Sequence, residues 1–301
     1  MFFDKLLIAY AFTDETIKNE YEFKRFVFTR ESTDKVVQEM ENPAVVGFSN
    51  YIWNTQYNLT LAKKIKAKYP ECVIIFGGHN IPPDNSFLKE YGFIDFLIHG
   101  EGEEAFKGLL LELCKREKDF SSINNVSYRS ADGTFVKNPT VVLTCTDYPS
   151  PYLTGLFDYI FEENPDMQLD AILETSRGCP NACAYCDWGC NSSRIRFFPI
   201  ERIKAEIDWL SEHKVKFVWG ADSNFGAAER DLEIVDYLID VISHYKITDP
   251  TFLYIRGIPT AQMIYELIKK TFVDDEMQRK EYKNKLVSLL DDDTKKYNFE
   301  E

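Results

Sequence analysis

Short apolar runs alternate with amphipathic stretches along the first 140 residues. Four runs are long enough for strands, and they lie at 6–10, 45–49, 72–76 and 95–99. Because the runs contain few polar residues, each is typical of a strand that is buried on both faces. Helical spacing follows the second run, where Leu59, Ala62 and Ile65 share one side, and follows the fourth run from Phe106 to Leu113. This alternation predicts an α/β domain with a doubly wound, mostly parallel sheet.

A hairpin and a proline-rich stretch complete the first half. Strand-like residues at 126–129 and 134–136 flank the turn-forming sequence Ala131-Asp132-Gly133, which predicts a hairpin. Residues 138–170 contain several prolines and few periodic runs. We therefore place a flavodoxin-like or Rossmann-like domain at 1–140 and a linker at 141–170.

The strand and helix pattern resumes after the predicted linker. Apolar runs at 171–174, 215–219 and 251–255 predict strands, and helical stripes follow Pro199 and Leu232. Repeated βα units predict a partial (β/α) barrel of TIM-like type at 171–301, with three to four units. A six-unit partial barrel needs about 190 residues, which is more than this segment contains. The sequence also becomes highly charged from Asp274 onward.

Composition narrows the classes of function. The chain has 301 residues, of which 45% are hydrophobic, and a net charge of −14. An acidic balance disfavours a nucleic-acid partner, because a phosphate backbone needs a basic face. We therefore expect a small-molecule or peptide substrate. The sequence offers no apolar run of about 20 residues and no secretory signal at its start, so we expect no membrane partner and a cytoplasmic location.

The seven cysteines fall into two groups. Cys72, Cys114 and Cys145 are scattered in apolar or amphipathic surroundings, and we expect them in the core. The other four lie between Cys179 and Cys190. In a reducing compartment, such a cluster favours metal binding over disulfides.

The cysteine cluster has the spacing C-x3-C-x2-C directly after a predicted strand. Cys179, Cys183 and Cys186 could supply three thiolates to a four-iron cluster, which leaves the fourth iron open to a small molecule. Two alternatives use Cys190 as well: a four-cysteine zinc site, and a closed four-iron cluster for electron transfer.

This motif resembles the signature of the radical S-adenosylmethionine (SAM) family, and Tyr185 stands where that family has an aromatic residue. The resemblance implies a [4Fe-4S] cluster on Cys179, Cys183 and Cys186, with SAM chelated at the open iron. It also implies reductive cleavage of SAM to a 5′-deoxyadenosyl radical, with the electron coming from a reductant such as flavodoxin or ferredoxin. Tyr185 would lie near the adenine.

The next predicted strand ends in residues that fit the same resemblance. In this family, the end of the second barrel strand contacts the amino group of SAM. Gly220, Asp222 and Asn224 occupy that place here, in a form that departs from the usual pair of glycines and a glutamate. The Asp-x-Asn-Phe-Gly sequence resembles the cobalamin-binding branch of the family. The alternative is a turn that caps the following helix.

The strand ends of the first domain resemble a cobalamin-binding domain. Ligands of doubly wound sheets bind beyond the carboxyl ends of the strands, and glycines there permit close approach of a planar macrocycle. The residues that we assign to cobalamin are Ser49, Tyr51, Gly77, Gly78, His79, Gly100, Glu101 and Gly102. The Asp-x-His-x-x-Gly motif of some cobalamin domains is missing after the first apolar run, at 11–15.

The resemblance therefore implies a radical SAM enzyme that uses cobalamin for methyl transfer or rearrangement at an unactivated carbon. Two alternatives stay open. The shortness of the predicted barrel favours an incomplete or non-catalytic cofactor-binding partner. The order of an α/β domain followed by the cysteine motif is also found in radical enzymes that methylthiolate transfer RNA.

Overall fold

The computed structural model describes residues 2–24, 26–27, 29–167, 169–179, 194–215, 217–226, 228–244 and 252–254. The chain divides into two compact units, Met1–Thr144 and Cys145–Glu301. Each unit combines helices with a sheet that contains parallel strands, which confirms the predicted α/β class.

The first unit contains a five-stranded mixed sheet. Its helices are α1 Phe2–Ala11, α2 Glu15–Glu20, α3 Thr33–Glu39, α4 Thr55–Lys68, α5 Ser86–Glu90 and α6 Glu103–Leu113. Its strands are β1 Val45–Ser49, β2 Val73–Gly77, β3 Phe96–Ile98, β4 Val126–Arg129 and β5 Phe135–Lys137. The strands lie in chain order, with β1, β2 and β3 parallel and β4 and β5 antiparallel. Three predicted strands and the predicted hairpin are therefore confirmed.

Helices cover both faces of this sheet. Phe48, Phe76 and Leu97 are neighbours across β1, β2 and β3, and they share one buried cluster with residues of α3, α4 and α5. Gly47 precedes Phe48 on β1 and therefore points to the opposite face. On that side, Phe106 of α6 comes within 4.0 Å of a Cβ atom built on Gly47. The arrangement buries the strands on both sides, as the apolar runs predict.

The strand predicted at 6–10 is wrong, because these residues form part of α1. Four consecutive apolar residues, Leu6 to Ala9, carry no periodicity that separates a strand from a buried helix. Leu and Ala favour the helix, and Ile8 is the one β-branched residue of α1. Tertiary contacts agree, since the Tyr10 hydroxyl donates to Glu104 Oε1 of α6 at 2.5 Å.

The second unit contains two small sheets. Its described helices are α7 Asp158–Glu163, α8 Ile200–Glu212 and α9 Arg230–His244. Its described strands are β6 Asp170–Leu173, β7 Ser176–Arg177, β8 Arg196–Phe197, β9 Phe217–Gly220 and β10 Phe252–Tyr254. The parallel sheet has the order β10-β9-β6, and β7 pairs with β8 antiparallel. The three strands predicted for the barrel are found, whereas α7, β7 and β8 lacked a sequence signal.

Part of the segment predicted as a linker is packed within the second unit. Tyr148, Tyr152 and Phe157 are buried. The Tyr152 hydroxyl donates to the carbonyl of Ile172 at 2.6 Å and accepts from its N–H at 3.1 Å. These bonds fasten the segment to β6, so the chain from 145 onward is part of the second unit.

In the part of the chain that the structure describes, no helix combines the length and the apolar character needed to cross a bilayer.

Candidate functional site

The parallel strands of the first unit bring the predicted cobalamin residues to one edge. Because β1, β2 and β3 run in the same direction, the segments after Ser49, Gly77 and Ile98 leave the sheet together. The backbone joins the first two segments, since Asn50 N donates to Gly77 O at 2.7 Å and Asn80 N donates to Asn50 O at 3.0 Å.

Asparagine side chains hold this edge together, and the sequence analysis missed them. Asn54 and Asn58 each donate through Nδ2 to the carbonyl of Ser49, at 2.9 and 3.0 Å. Asn80 Nδ2 donates to Thr55 Oγ1 at 2.8 Å, and Asn50 is completely buried. Their spacing in the sequence could have indicated this role, because Asn54 and Asn58 lie one helical turn apart where α4 begins.

The four predicted glycines have different local environments. A Cβ atom on Gly78, whose φ is +99°, would lie 2.9 Å from the backbone N and O of Asn50. On Gly102 it would lie 3.3 Å from Leu7, and on Gly77 it would lie 3.6 Å from Ile98. Gly100, with φ +68°, has nothing within 4 Å of that position. Of these four glycines, Gly100 alone leaves open space next to its backbone.

Aromatic and apolar side chains form part of the surface at this edge. Tyr51 and Trp53 stack with ring centroids 4.7 Å apart. Ile52 and Trp53 are 80% and 69% exposed, and His79 is exposed too. Open space at Gly100 after β3 and exposed apolar side chains after β1, at the same edge of the sheet, fit a large, flat and partly apolar ligand such as cobalamin. With α1 helical, the loop after the first strand of the sheet is 50–54, which also lacks histidine.

His99 directly follows β3 and, in contrast to His79, is buried in the protein. It is 6% exposed, and its Nε2 lies 2.8 Å from Ser127 Oγ. Burial, together with the positive charge of Lys137, lowers the pKa of His99 from 6.5 to about 4, although the negative charge of Asp84 opposes the shift. The imidazole is therefore neutral near pH 7 and serves as a buried hydrogen-bonding group.

The cysteine motif of the second unit lies in a loop that a strand pair closes. Ser176 and Arg177 of β7 pair with Phe197 and Arg196 of β8, so the loop leaves and re-enters the fold at one place. Cys179 lies just inside this closure and is partly exposed. Cys183, Tyr185, Cys186 and Cys190 are outside the described residues.

The donor set of this loop fits an iron–sulfur cluster. Three cysteines within one closed loop can place three thiolates around a single cluster. Since only Cys179 of the motif is described, the described residues contain no group of three or more His, Cys, Asp or Glu that could hold a metal ion. The ligand set therefore stays a prediction from the motif.

A buried ion pair stabilises the entry to this loop. Arg177 Nε and Nη2 donate to the two carboxylate oxygens of Glu174, each at 3.0 Å. Both side chains are less than a tenth exposed. The guanidinium also lies over the ring of Phe198, 5.4 Å from its centroid. A bidentate ion pair of this kind fixes the orientation of both side chains.

Asp222, which the resemblance predicts to contact SAM, is hydrogen-bonded to the residues that precede the cysteine motif. Its carboxylate accepts from Thr175 N at 3.0 Å, Thr175 Oγ1 at 2.8 Å and Ser176 Oγ at 2.5 Å. The residue is 2% exposed, and burial raises its pKa although the hydrogen bonds from Ser176 and Thr175 oppose that shift. The side chain is thus enclosed by the chain that leads into the cysteine loop.

Gly220 and Asn224 lie at the predicted end of the parallel sheet. Gly220 pairs with Leu173, the last residue of β6, and Ala221 N donates to Leu173 O at 2.9 Å. Gly220 and Asn224 are both partly exposed, in contrast to Asp222. The structure therefore brings the end of β9 beside the start of the cysteine loop.

Relatives of the chain were found by sequence. A scan against protein-family models gives no match. The chain is 35% identical over 240 residues to 2-(S-pantetheinyl)-carbapenam-3-carboxylate methyltransferase of Streptantibioticus cattleyicolor, covering 78% of this chain and 35% of the relative. It is also 35% identical over 241 residues to the cobalamin-dependent radical SAM methyltransferase TokK of Streptomyces tokunonensis, with the same coverage.

Solved structures share the fold. The cobalamin-dependent SAM radical enzyme OxsB, solved with aqua-cobalamin and SAM bound, matches with a TM-score of 0.56 and 18% identity. The match covers 70% of this chain and 30% of OxsB. The chain spans about a third of the length of the curated relatives that it matches. Over the matched region, the chain belongs to the family of cobalamin-dependent radical SAM proteins.

Proposed function

We propose that this chain is the cofactor-binding part of a cobalamin-dependent radical SAM methyltransferase that acts on an unactivated carbon. The observation that carries the proposal is the C-x3-C-x2-C loop, which the β7–β8 pair closes next to the carboxyl end of β6. The methyltransferase names of the two sequence relatives support the reaction class. The chain spans about a third of the length of those relatives, so methyl transfer by this chain is itself proposed.

In this proposal, the second unit holds the cluster and SAM. Cys179, Cys183 and Cys186 bind the irons of the [4Fe-4S] cluster. Tyr185, Gly220 and Asn224 border SAM, whereas Asp222 acts through the residues it contacts. When bound, the cluster and cobalamin supply radical formation and methyl transfer, and the protein supplies position and excludes water.

The first unit holds cobalamin at the edge formed by β1, β2 and β3. Its open space at Gly100 and its exposed apolar side chains support this assignment. Gly78 and Gly102 act indirectly. Gly78 allows the segments after β1 and β2 to approach each other closely, and Gly102 allows Leu7 of α1 to approach the segment after β3. The residues proposed for this site are Ser49, Tyr51, Gly77, Gly78, His79, Gly100, Glu101 and Gly102.

The proposed partners follow from charge and chemistry. A net charge of −14 favours a small-molecule or peptide substrate over nucleic acid. Cleavage of SAM needs one electron, which a flavodoxin or ferredoxin would donate. An iron–sulfur cluster on thiolates also suits the reducing conditions of the cytoplasm.

The radical part of the proposal is tested by reconstituting the full chain anaerobically with iron and sulfide. After reduction with dithionite, wild type should release 5′-deoxyadenosine from SAM. Cys183→Ala should lose this activity, whereas Cys145→Ala should keep it because Cys145 is an exposed cysteine outside the motif. Equal release by wild type and Cys183→Ala would disprove the ligand assignment.

The cobalamin part is tested by loading the chain with hydroxocobalamin and measuring the corrin absorption that survives gel filtration. Gly100→Leu should fill the open space and lower retention about ten-fold, which corresponds to about 1.4 kcal/mol. Gly133→Leu is the matched control, since Gly133 also has a positive φ and open space but lies in the β4–β5 turn. Absence of a corrin band in wild type would reject the site.

A further inference from the structure

Asp222 is a buried carboxylate whose hydrogen bonds point toward the cysteine loop. It follows β9, yet the three donors around it belong to Thr175 and Ser176, on the segment between β6 and Cys179. The contacts therefore join residues 46 and 47 positions apart in the sequence. They connect the end of β9 to the segment that follows the neighbouring strand, β6.

Thr175 also makes a backbone hydrogen bond on the side away from Asp222. Thr175 O accepts a hydrogen bond from Phe198 N at 3.0 Å, just after β8. Thr175 thus lies between the β8 side of the loop closure and the carboxylate of Asp222. Fixing Thr175 and Ser176 fixes the direction in which the chain enters the loop that begins at Gly178, where φ is +90°.

A carboxylate suits this position better than an amide or a hydroxyl group would. An ionised carboxylate only accepts hydrogen bonds, and it has room for several donors. Here it receives one backbone N–H and two hydroxyl groups while it is 2% exposed. Hydrogen bonds to a charged acceptor are roughly twice as strong as neutral ones, so the three bonds together hold the segment firmly.

We propose that Asp222 is a positioning residue, which sets the geometry of the cluster-binding loop through Thr175 and Ser176. The inference rests on the proposed function, since it assumes that Cys179 and its two partner cysteines bind the cluster. It replaces a direct contact between Asp222 and SAM with an indirect role. Removing the carboxylate should therefore disturb cluster assembly and the response of the cluster to SAM.

Asp231 provides a matched control for loss of a buried carboxylate. It is 3% exposed, and its Oδ2 accepts from the backbone N–H groups of Gly226 at 2.8 Å and Ala228 at 3.2 Å. Those contacts stay within the connection between β9 and α9. Asp231→Ala should therefore lower the melting temperature while it leaves the cysteine loop in place.

The experiment compares the full chain as wild type, Asp222→Ala, Asp222→Asn and Asp231→Ala. Each is reconstituted anaerobically with iron and sulfide, and the readouts are iron per chain, melting temperature and the EPR spectrum of the reduced cluster with and without SAM. We expect Asp222→Ala to bind less iron per chain than wild type, because loss of a group that orients metal ligands lowers metal affinity about ten-fold or more. Asp231→Ala should bind iron like wild type at a similarly lowered melting temperature.

Asp222→Asn keeps the proposal testable if the alanine variant does not fold. Its amide oxygen can still accept from Thr175 N–H, and its amide group can donate to a hydroxyl group. Asp222→Asn should therefore retain a cluster whose EPR response to SAM differs from that of wild type.

The outcomes separate this inference from the proposed function. If wild type assembles no cluster, the proposed function fails and the inference fails with it. If wild type assembles a cluster and both Asp222 variants match its iron content and EPR response, only the positioning role is wrong. An equal loss of iron in Asp231→Ala would also overturn it, because the effect would then follow stability alone.

Discussion

Gly78 and Gly100 both have a positive φ at the edge of the first sheet, but only Gly78 is enclosed. Gly78→Ala should lower the free energy of unfolding by about 3 kcal/mol, because its Cβ would meet the backbone of Asn50 in addition to the strained φ. Gly100→Ala should lower it by about 1 kcal/mol, from the strained φ alone. Urea unfolding measures both values, and equal losses would contradict the role of the Asn50 contact.

His99 should make stability depend on pH. Its pKa is about 4 in the folded protein against 6.5 for the free group, so the folded state binds fewer protons than the unfolded state between those values. Stability from the neutral imidazole is therefore complete above about pH 6.5 and is lost as the pH falls toward 4. The melting temperature of His99→Gln should fall less than that of wild type across this window. Parallel curves would contradict the shift.

Single residues were the hardest scale to predict from the sequence. The motif identifies Cys179 as a ligand candidate, because its spacing carries chemical information without tertiary contacts. The expectation of core cysteines is confirmed for Cys72 and wrong for Cys114 and Cys145, which are exposed. The hydrogen bonds that Thr175 and Ser176 donate to Asp222 join segments that are distant in sequence, so no local pattern predicts them.

At the scale of elements, the buried pair of Glu174 and Arg177 stabilises the start of the cysteine loop. Glu174→Gln keeps the shape but removes the charge that faces Arg177, and it should lower the free energy of unfolding by about 3 kcal/mol. Glu15→Gln is a matched control, because Glu15 and Lys18 form an exposed pair at the same i,i+3 spacing. Its effect should be below about 1 kcal/mol. Equal shifts in the urea midpoint would contradict the contribution of burial.

Helices and strands whose apolar residues have a clear periodicity were predicted well, and the exceptions have physical causes. The amphipathic helices α4, α8 and α9 and the strands β1, β2 and β9 follow the sequence pattern. The run at 6–10 became helical because uniform apolarity leaves the choice to tertiary packing, here between α1 and α6. β7 and β8 are two residues each, which is too short for any alternation to appear.

At the scale of the whole molecule, the sequence predicts two α/β regions, and the structure shows two compact α/β units. The first is a mixed sheet with helices on both faces. The described part of the second contains three parallel strands, with α8 and α9 between them in the chain, and a separate β7–β8 pair. The prediction of a cobalamin site on the first and a cluster site on the second came from motifs and resemblance. The two sequence relatives align with 78% of this chain, so the family assignment rests on more than the motifs.

In the proposed site, three cysteines and not four hold the iron–sulfur cluster. The most direct test is to count iron, sulfide and zinc per chain after anaerobic reconstitution of wild type, Cys183→Ala and Cys190→Ala. We expect about four irons in wild type and in Cys190→Ala, with loss of the cluster in Cys183→Ala. Loss of the cluster in Cys190→Ala, or zinc in place of iron in wild type, would contradict this expectation.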